Sequence, residues 1–297
     1  MKSFCFRVFV LSGFLMAGYG QIREGETQQS TSVPLYRLTV VGRTIQAVNY
    51  GHRSEATKID FRGTVLLPDA KGGATVRNQR GATVIDAKFE RLPLPTRFGP
   101  QFLTYVLWAI TPDGRTANLG EIVLNPSDEG KLHVTTEFPA FGLMVTAEPY
   151  FAVVQPSDVV VMENKVRPDT IGKIQVVEAK YELLPRGQFT FDEQAAAAPP
   201  TQKVRMNEYE AITAVYQAQN AVQIAQSQGA ERYAPEVFSK AVTLLEQARS
   251  YKETKDYKRT VMTAREAAQT AEDARAIAEK RAAAEPKIER FHLGSAR

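Results

Sequence analysis

The sequence predicts an α+β multidomain protein: an antiparallel β-sandwich followed by an Ala-rich three-helix domain. Three observations carry the prediction. From Leu35 to about Pro185, short apolar or alternating runs are broken by Gly, Pro, Asn and Asp, the pattern of strands joined by tight turns. From Tyr233 to Arg281, apolar residues recur at helical spacing in two segments parted by a polar corner, which predicts two antiparallel helices. Between the two regions lies DEQAAAAPP, Asp192 to Pro200, small residues ending in a stiff diproline, a linker composition that predicts halves with few contacts between them. A chain of 297 residues, 43% hydrophobic and 24% charged, has room for both domains.

In order, the expected parts are a signal peptide at 1–20, a flexible leader at 21–34, the β-domain at 35–185, the linker at 186–203, the helical domain at 204–286 and a disordered tail at 287–297. Lys2 and Arg7 supply the positive start of a secretory signal, and Gly18 and Gly20 the small residues before a cut. Val8 to Ala17 is an apolar run too short for a stable bilayer span. Cleavage after Gly20 and a periplasmic or secreted product are expected, with a retained N-terminal anchor as the alternative. The single cysteine, Cys5, lies inside that signal, not where a lipidated first residue would stand. The mature chain is therefore expected to hold no disulfide, thiolate metal site or cysteine nucleophile, in keeping with an oxidising compartment. No later apolar run reaches the roughly 20 residues of a membrane helix. The net charge of +4 and pI near 9.0 come from interspersed basic and acidic residues, without the aromatic-laced basic stripe of a nucleic-acid groove.

Gln21 to Pro34 is polar and aperiodic. Strands are expected at Leu38–Val48, Ile59–Leu67, Thr83–Phe89, Phe102–Ile110, Asn118–Leu124, Leu132–Phe138, Leu143–Glu148, Val159–Met162 and Ile174–Tyr181. LHVTTEF alternates, with Leu132, Val134, Thr136 and Phe138 toward a core and Lys131, His133, Thr135 and Glu137 toward water. FLTYVLWAI, with the lone Trp108, is apolar on both faces and predicts a central strand covered on both sides. Pro112, Asp113 and Gly114 supply the turn to the returning strand NLGEIVL. ERLPLPTRFGP, Glu90 to Pro100, cannot pair continuously and is expected to cross between sheets.

GTVLLP, TVIDAKFERLPLP, YVLWAITPDGRTANLGEI, GLMVTAEP and QPSDVVV, within Gly63 to Val161, resemble the extracytoplasmic domain of anti-sigma-K factors. In that family a Y-x-L-W strand is followed by a Gly turn, an "LG" strand and a V-T-x-E-P segment. The resemblance implies an immunoglobulin-like sandwich. The family's cytoplasmic sigma-binding segment and membrane helix have no counterpart in this sequence, so the regulation of transcription is not implied.

In the helical half, Val204 to Gln228 predicts a first helix, with Gly229 as its left-handed stop. Pro235 suits the first position of the next helix and Glu236 its positive dipole end. Val237, Ala241, Leu244, Ala248 and Tyr251 form its stripe. Asp256 is placed to cap the last helix, whose inner stripe is Tyr257, Val261, Ala264, Ala268, Ala271 and Ala278. Y-A-P, K-A-x-x-L-L-x-x-A, D-Y and the following Ala run, within Tyr209 to Arg281, resemble an uncharacterised Ala-rich envelope domain found in lipoproteins and beside OmpA-like outer-membrane proteins.

Chemistry is sparse. The sequence has no G-x-S-x-G, no H-E-x-x-H and only His52, His133 and His292, so no catalytic, cofactor-binding or metal site is expected. Glu121, Glu137, Glu148 and Asp158 stand near strand ends, where a carboxylate pair would suit glycoside hydrolysis. The five tyrosines Tyr209, Tyr216, Tyr233, Tyr251 and Tyr257 fit packing better than glycan stacking. An Ala-lined bundle buries little area, so Phe238 and Leu245 are expected to stay partly open to a partner, with the basic corner Lys252, Lys255, Lys258 and Arg259 orienting it. The expectation is an exported, non-enzymatic envelope protein that binds an envelope protein or anionic envelope polymer, or self-associates. A carbohydrate-active enzyme and a stress-sensing module are the alternatives.

Overall fold

The computed structural model describes residues 40–50, 55–79, 81–182 and 206–285. The expected signal, leader, Asp192–Pro200 linker and 287–297 tail lie outside the described residues, as do His52 and His292. The described chain is α+β. Ten strands come first: β1 Val40–Asn49, β2 Thr57–Gly63, β3 Lys71–Gln79, β4 Ala82–Glu90, β5 Thr104–Ile110, β6 Thr116–Ile122, β7 Gly130–Thr136, β8 Ala140–Glu148, β9 Val160–Val166 and β10 Lys173–Glu182. Four helices follow: α1 Met206–Ser227, the short α2 Ala230–Tyr233, α3 Pro235–Glu253 and α4 Tyr257–Ala284.

All pairings are antiparallel and link into one sheet. The path β6-β5-β8-β9-β2-β3-β4-β7 curls round until its two ends lie side by side. They are bridged only just past β6, at Leu124 and Gly130, so the sheet comes near to closing as a barrel. β8 pairs with β9 and, at Phe141 and Ala140, with β1, from which the β1–β10 ribbon branches.

The ring interior is one core. Tyr105, Leu107 and Ala109 of β5 and Leu143, Val145 and Ala147 of β8 point into it, with Phe61 and Phe89 packed 5.0 Å apart. β7 alternates as its sequence predicts: Leu132 and Val134 are half-buried, Lys131 and His133 exposed. β3 escapes the sequence pattern because two glycines open it. Gly72 is needed there, since a Cβ would stand 2.6 Å from the Lys88 carbonyl oxygen. Glu90 still pairs with Lys71 as the last residue of β4, but Arg91 to Pro100 does not pair as a strand and carries a 3-10 turn at Pro95–Phe98.

The opposite face of β5 builds a second core. Val106, Trp108 and Ile110, together with Met144 of β8, join one continuous apolar cluster with the buried residues of α1, α3 and α4. The linker composition predicts two halves with few contacts between them, and the described residues show the reverse. A strand apolar on both faces needs a cover, and the helices supply it.

Among the helices, Pro235 opens α3, and Asp256 caps α4 by accepting from the Arg259 amide at 3.2 Å. Gly229 turns the chain at φ 80°. α4 is buried on more than one side, with Ala264, Ala267, Ala268, Ala271, Ala274 and Ala278 all closed to water. Small side chains let its backbone pass close to α1 and α3 at once.

The β8–β9 loop is clamped between the layers. Tyr150 donates its phenol to Glu272 at 2.6 Å, and the Val154 amide donates to the same carboxylate at 3.0 Å. Gln217 accepts from the Phe151 amide, while Asn220 donates to the Pro149 carbonyl. Arg275, 0% exposed, grips Glu272 with Nε and Nη2 at 2.8 and 2.9 Å. Burial disfavours the Arg275 cation, but its bond and charge contact with Glu272 more than offset that and raise its pKa. Burial, then the Glu272 charge, pushes the Tyr150 phenol well above the ordinary tyrosine range.

Candidate functional site

A bulge positions the site. The register of β5 on β6 shifts between Leu107 and Trp108, so that Leu107 lies opposite Gly120 and Trp108 opposite Asn118. The unpaired Leu119 packs into the ring interior. Asn118 and Glu121 would point to opposite faces of a regular strand; the extra residue sends both outward, toward the helices. Gly120 takes φ 141°, which an L side chain would strain.

Asn118 donates to the carbonyls of Phe151 and Val153, both at 2.8 Å. Glu121 collects three donors: the Thr104 hydroxyl at 2.7 Å, the Gln217 amide at 2.8 Å and the Arg265 guanidinium at 2.6 Å. Arg265 also lies over the Phe151 ring, 3.9 Å from its centre. Helix α1, helix α4, the clamped loop and strands β5 and β6 therefore meet at one carboxylate.

Beside this knot opens a cleft of about 500 Å³, between the ends of β5 and β6 and the helices α1 and α4. Leu103, Ile122, Leu124, Ala214 and Val261 give it apolar walls. At its rim, Leu94, Val123 and Met206 are large apolar residues left 47%, 65% and 55% exposed. Tyr209 stands on the α1 wall, its phenol raised in pKa by burial and eased by Thr213. Volume and lining are those of a ligand site, mainly apolar with a few convergent polar groups.

Of the residues singled out in the sequence, Glu121 and Tyr209 line the cleft; the expected partner contacts fall elsewhere. Phe238 and Leu245, expected to stay open to a partner, are 7% and 4% exposed and sit inside the shared core. They are corrected to structural residues: α3 packs on α4, α1 and the short α2, and the close approach that the Ala-rich α4 permits closes over side chains that helical periodicity alone left open. The basic corner is on the surface, with Lys255, Lys258 and Arg259 exposed and Lys252 half-buried. Arg259 pairs with Asp256 at 3.2 Å and lies over Tyr251.

Nor do the four strand-end carboxylates converge. Glu121 is at the cleft, Glu137 and Asp158 are exposed, and Glu148 is fully buried, accepting from the Thr146 hydroxyl and the Ser157 amide. His133 is exposed and meets Asp86 at 2.5 Å, a bond that, with Arg77 adding to it, holds the Asp86 pKa below the usual range. A second recess, on the outer face of β2, β3 and β4, mixes Lys58, Lys71 and Lys88 with Asp60, Asp86 and Glu90.

The cleft was missed because its residues come from five separate stretches of the chain. The signal available was the "LG" pair of β6, whose glycine marks the bulge. Compared with known proteins, the chain matches no family, no curated protein and no solved structure. No described helix is long and apolar enough to cross a membrane, and no cluster of metal-ligating side chains occurs among the described residues.

Proposed function

We propose that this is an exported cell-envelope protein that acts by binding, as an adaptor, and that the cleft between β5–β6 and α1–α4 is where it binds. The observation that carries this reading is the rim: three large apolar side chains stay in water around an apolar recess that the fold leaves unfilled, which marks an interaction site. Binding fits the chemistry better than catalysis. Glu121, the most enclosed carboxylate of the cleft, already accepts three hydrogen bonds, so it holds the layers together and is poorly placed to relay protons. Export rests on the charged start, short apolar run and glycines of residues 1–20.

The immunoglobulin-like, anti-sigma-K-type reading of the β-half belongs to the same proposal. What supports it is that YVLWAI and NLGEI form consecutive paired strands across a Gly114 turn. The Ala-rich envelope likeness is supported by the α3–α4 hairpin.

A photo-crosslinking residue placed at Val123 tests the binding site in native envelopes. The expected result is a discrete adduct from Val123 and none from Glu137, an exposed control in the turn between β7 and β8. Equal labelling from both positions, or none from Val123, overturns the reading.

A further inference from the structure

The two ends of the ring differ. The antiparallel pairings put the loops 64–70, 91–103, 123–129 and 149–159 at one end, and those at 111–115, 137–139 and 167–172 at the other. Val65, Leu66, Leu94, Val123 and Val154, large apolar side chains left in water, all lie on the first set, and the described loops of the second carry no such residue. Single exposed apolar residues are ordinary, but their segregation to one end calls for a cause.

The β2–β3 loop forms a tip that the fold holds open. Val65 is 95% and Leu66 43% exposed, yet the loop is firmly tied. Thr64 donates its hydroxyl to the Val160 carbonyl at 2.8 Å and accepts the Leu66 amide at 3.2 Å. The Thr64 amide donates to the Val161 carbonyl at 2.9 Å, and the Gly63 amide to the Ala70 carbonyl at 3.1 Å. Leu67 and Ala70 turn inward to the ring core, which leaves Val65 and Leu66 facing out.

Behind the tip stand two cations. Arg62 and Lys71 are the last facing pair of β2 and β3, both exposed and neither in an ion pair among the described residues. Like charges directly opposite one another cost stability. Glu163 and Glu90 hold the outer places of the same row, so the cations meet at its middle, next to the apolar tip. The end carries further acids, Asp69, Asp128, Glu129 and Asp158, so its net charge chooses nothing; the choice comes from position.

An apolar tip backed by cations suits a phospholipid surface, where the tip enters the boundary of headgroups and acyl chains and the cations stay outside on phosphate oxygens. A protein partner would need a fitted pocket for side chains carried on four separate loops. A bilayer takes protruding side chains without matching their shape.

We propose that this end of the ring docks on a phospholipid bilayer, with Val65 and Leu66 inserted and Arg62 and Lys71 on the headgroup phosphates. The cleft opens at the same end, beside Leu94 and Val123, so the docked molecule presents it next to the membrane. The docking does not depend on what the cleft binds.

The test places an environment-sensitive nitrobenzoxadiazole dye on the full chain carrying Cys5→Ser and Val65→Cys. The control is the same dye on Cys5→Ser with Glu137→Cys, at the other end of the ring. The dye reports on its own position, so attachment through residues 1–20 does not imitate insertion of the tip. Vesicles of phosphatidylethanolamine and phosphatidylglycerol in equal parts are expected to raise and blue-shift the emission at position 65 saturably and to leave position 137 unchanged. Arg62→Gln with Lys71→Gln is expected to raise the lipid concentration at half-response at least about tenfold. Leu66→Asp is expected to abolish the response, with the helical circular dichroism signal unchanged. Vesicles of digalactosyldiacylglycerol, which has no phosphate, are expected to give little response. No response at position 65, equal responses at 65 and 137, or a galactolipid response equal to that of the phospholipid overturns the proposal. A dye at position 65 that stays in water on vesicles, while a photo-crosslinker there captures a protein in native envelopes, assigns the tip to a protein partner and overturns the lipid docking, whatever the outcome at Val123.

Discussion

Glu272 and Arg275 sit one helical turn apart on α4 with side chains 1% and 0% exposed, and the pair is held from several directions. Tyr150 and the Val154 amide bind the carboxylate, and Glu279 takes the remaining Arg275 nitrogen at 3.0 Å. Such a pair adds little net stability against a well-packed apolar alternative, yet breaking it strands a charge. Its use here is specificity: it fixes α4 against the β8–β9 loop in one register. Arg275→Met is expected to cost about 3–5 kcal/mol, measured by urea unfolding. Adding Glu272→Gln removes the stranded charge, so the double variant is expected to lose less than the two single losses added. Additive losses would mean the two side chains do not act as a pair.

Among the elements, α4 explains why an Ala-rich helix can be the centre of a bundle. Each Ala buries little area, but the helix is shared by α1, α3 and the loop above β5, so area is gained on several sides. Ala268→Leu is expected to overpack this close approach and destabilise by about 1–3 kcal/mol, while Ala283→Leu, on an exposed position of the same helix, is expected to be nearly neutral in thermal melting. The helices, their Pro235 and Asp256 starts and most strands were legible because periodicity and caps are local signals. β3 was not, since Gly72 and Gly73 erase its alternation. The cleft was not either. Leu94, Glu121, Glu210 and Arg265 meet only through the β6 bulge and the docking of α1 and α4, and no spacing in the chain encodes that meeting.

The whole molecule turns on one strand. β5 buries all seven residues, one face into the ring and the other under the helices. The sequence marks it as covered on both sides without saying by what, and the Ala-rich linker composition misleads about the answer. Once the helices cover Val106, Trp108 and Ile110, the cleft follows at the margin of that contact, so binding site and shared core stand or fall together. Trp108 reports on this contact directly. It is the only tryptophan of the chain, fully buried, and donates to the Thr146 hydroxyl at 2.7 Å. Urea unfolding followed in parallel by Trp108 fluorescence and by the helical circular dichroism signal at 222 nm tests the central claim. One coincident transition is predicted, with the helices lost as Trp108 meets water; a helical signal that survives after Trp108 is exposed would contradict it.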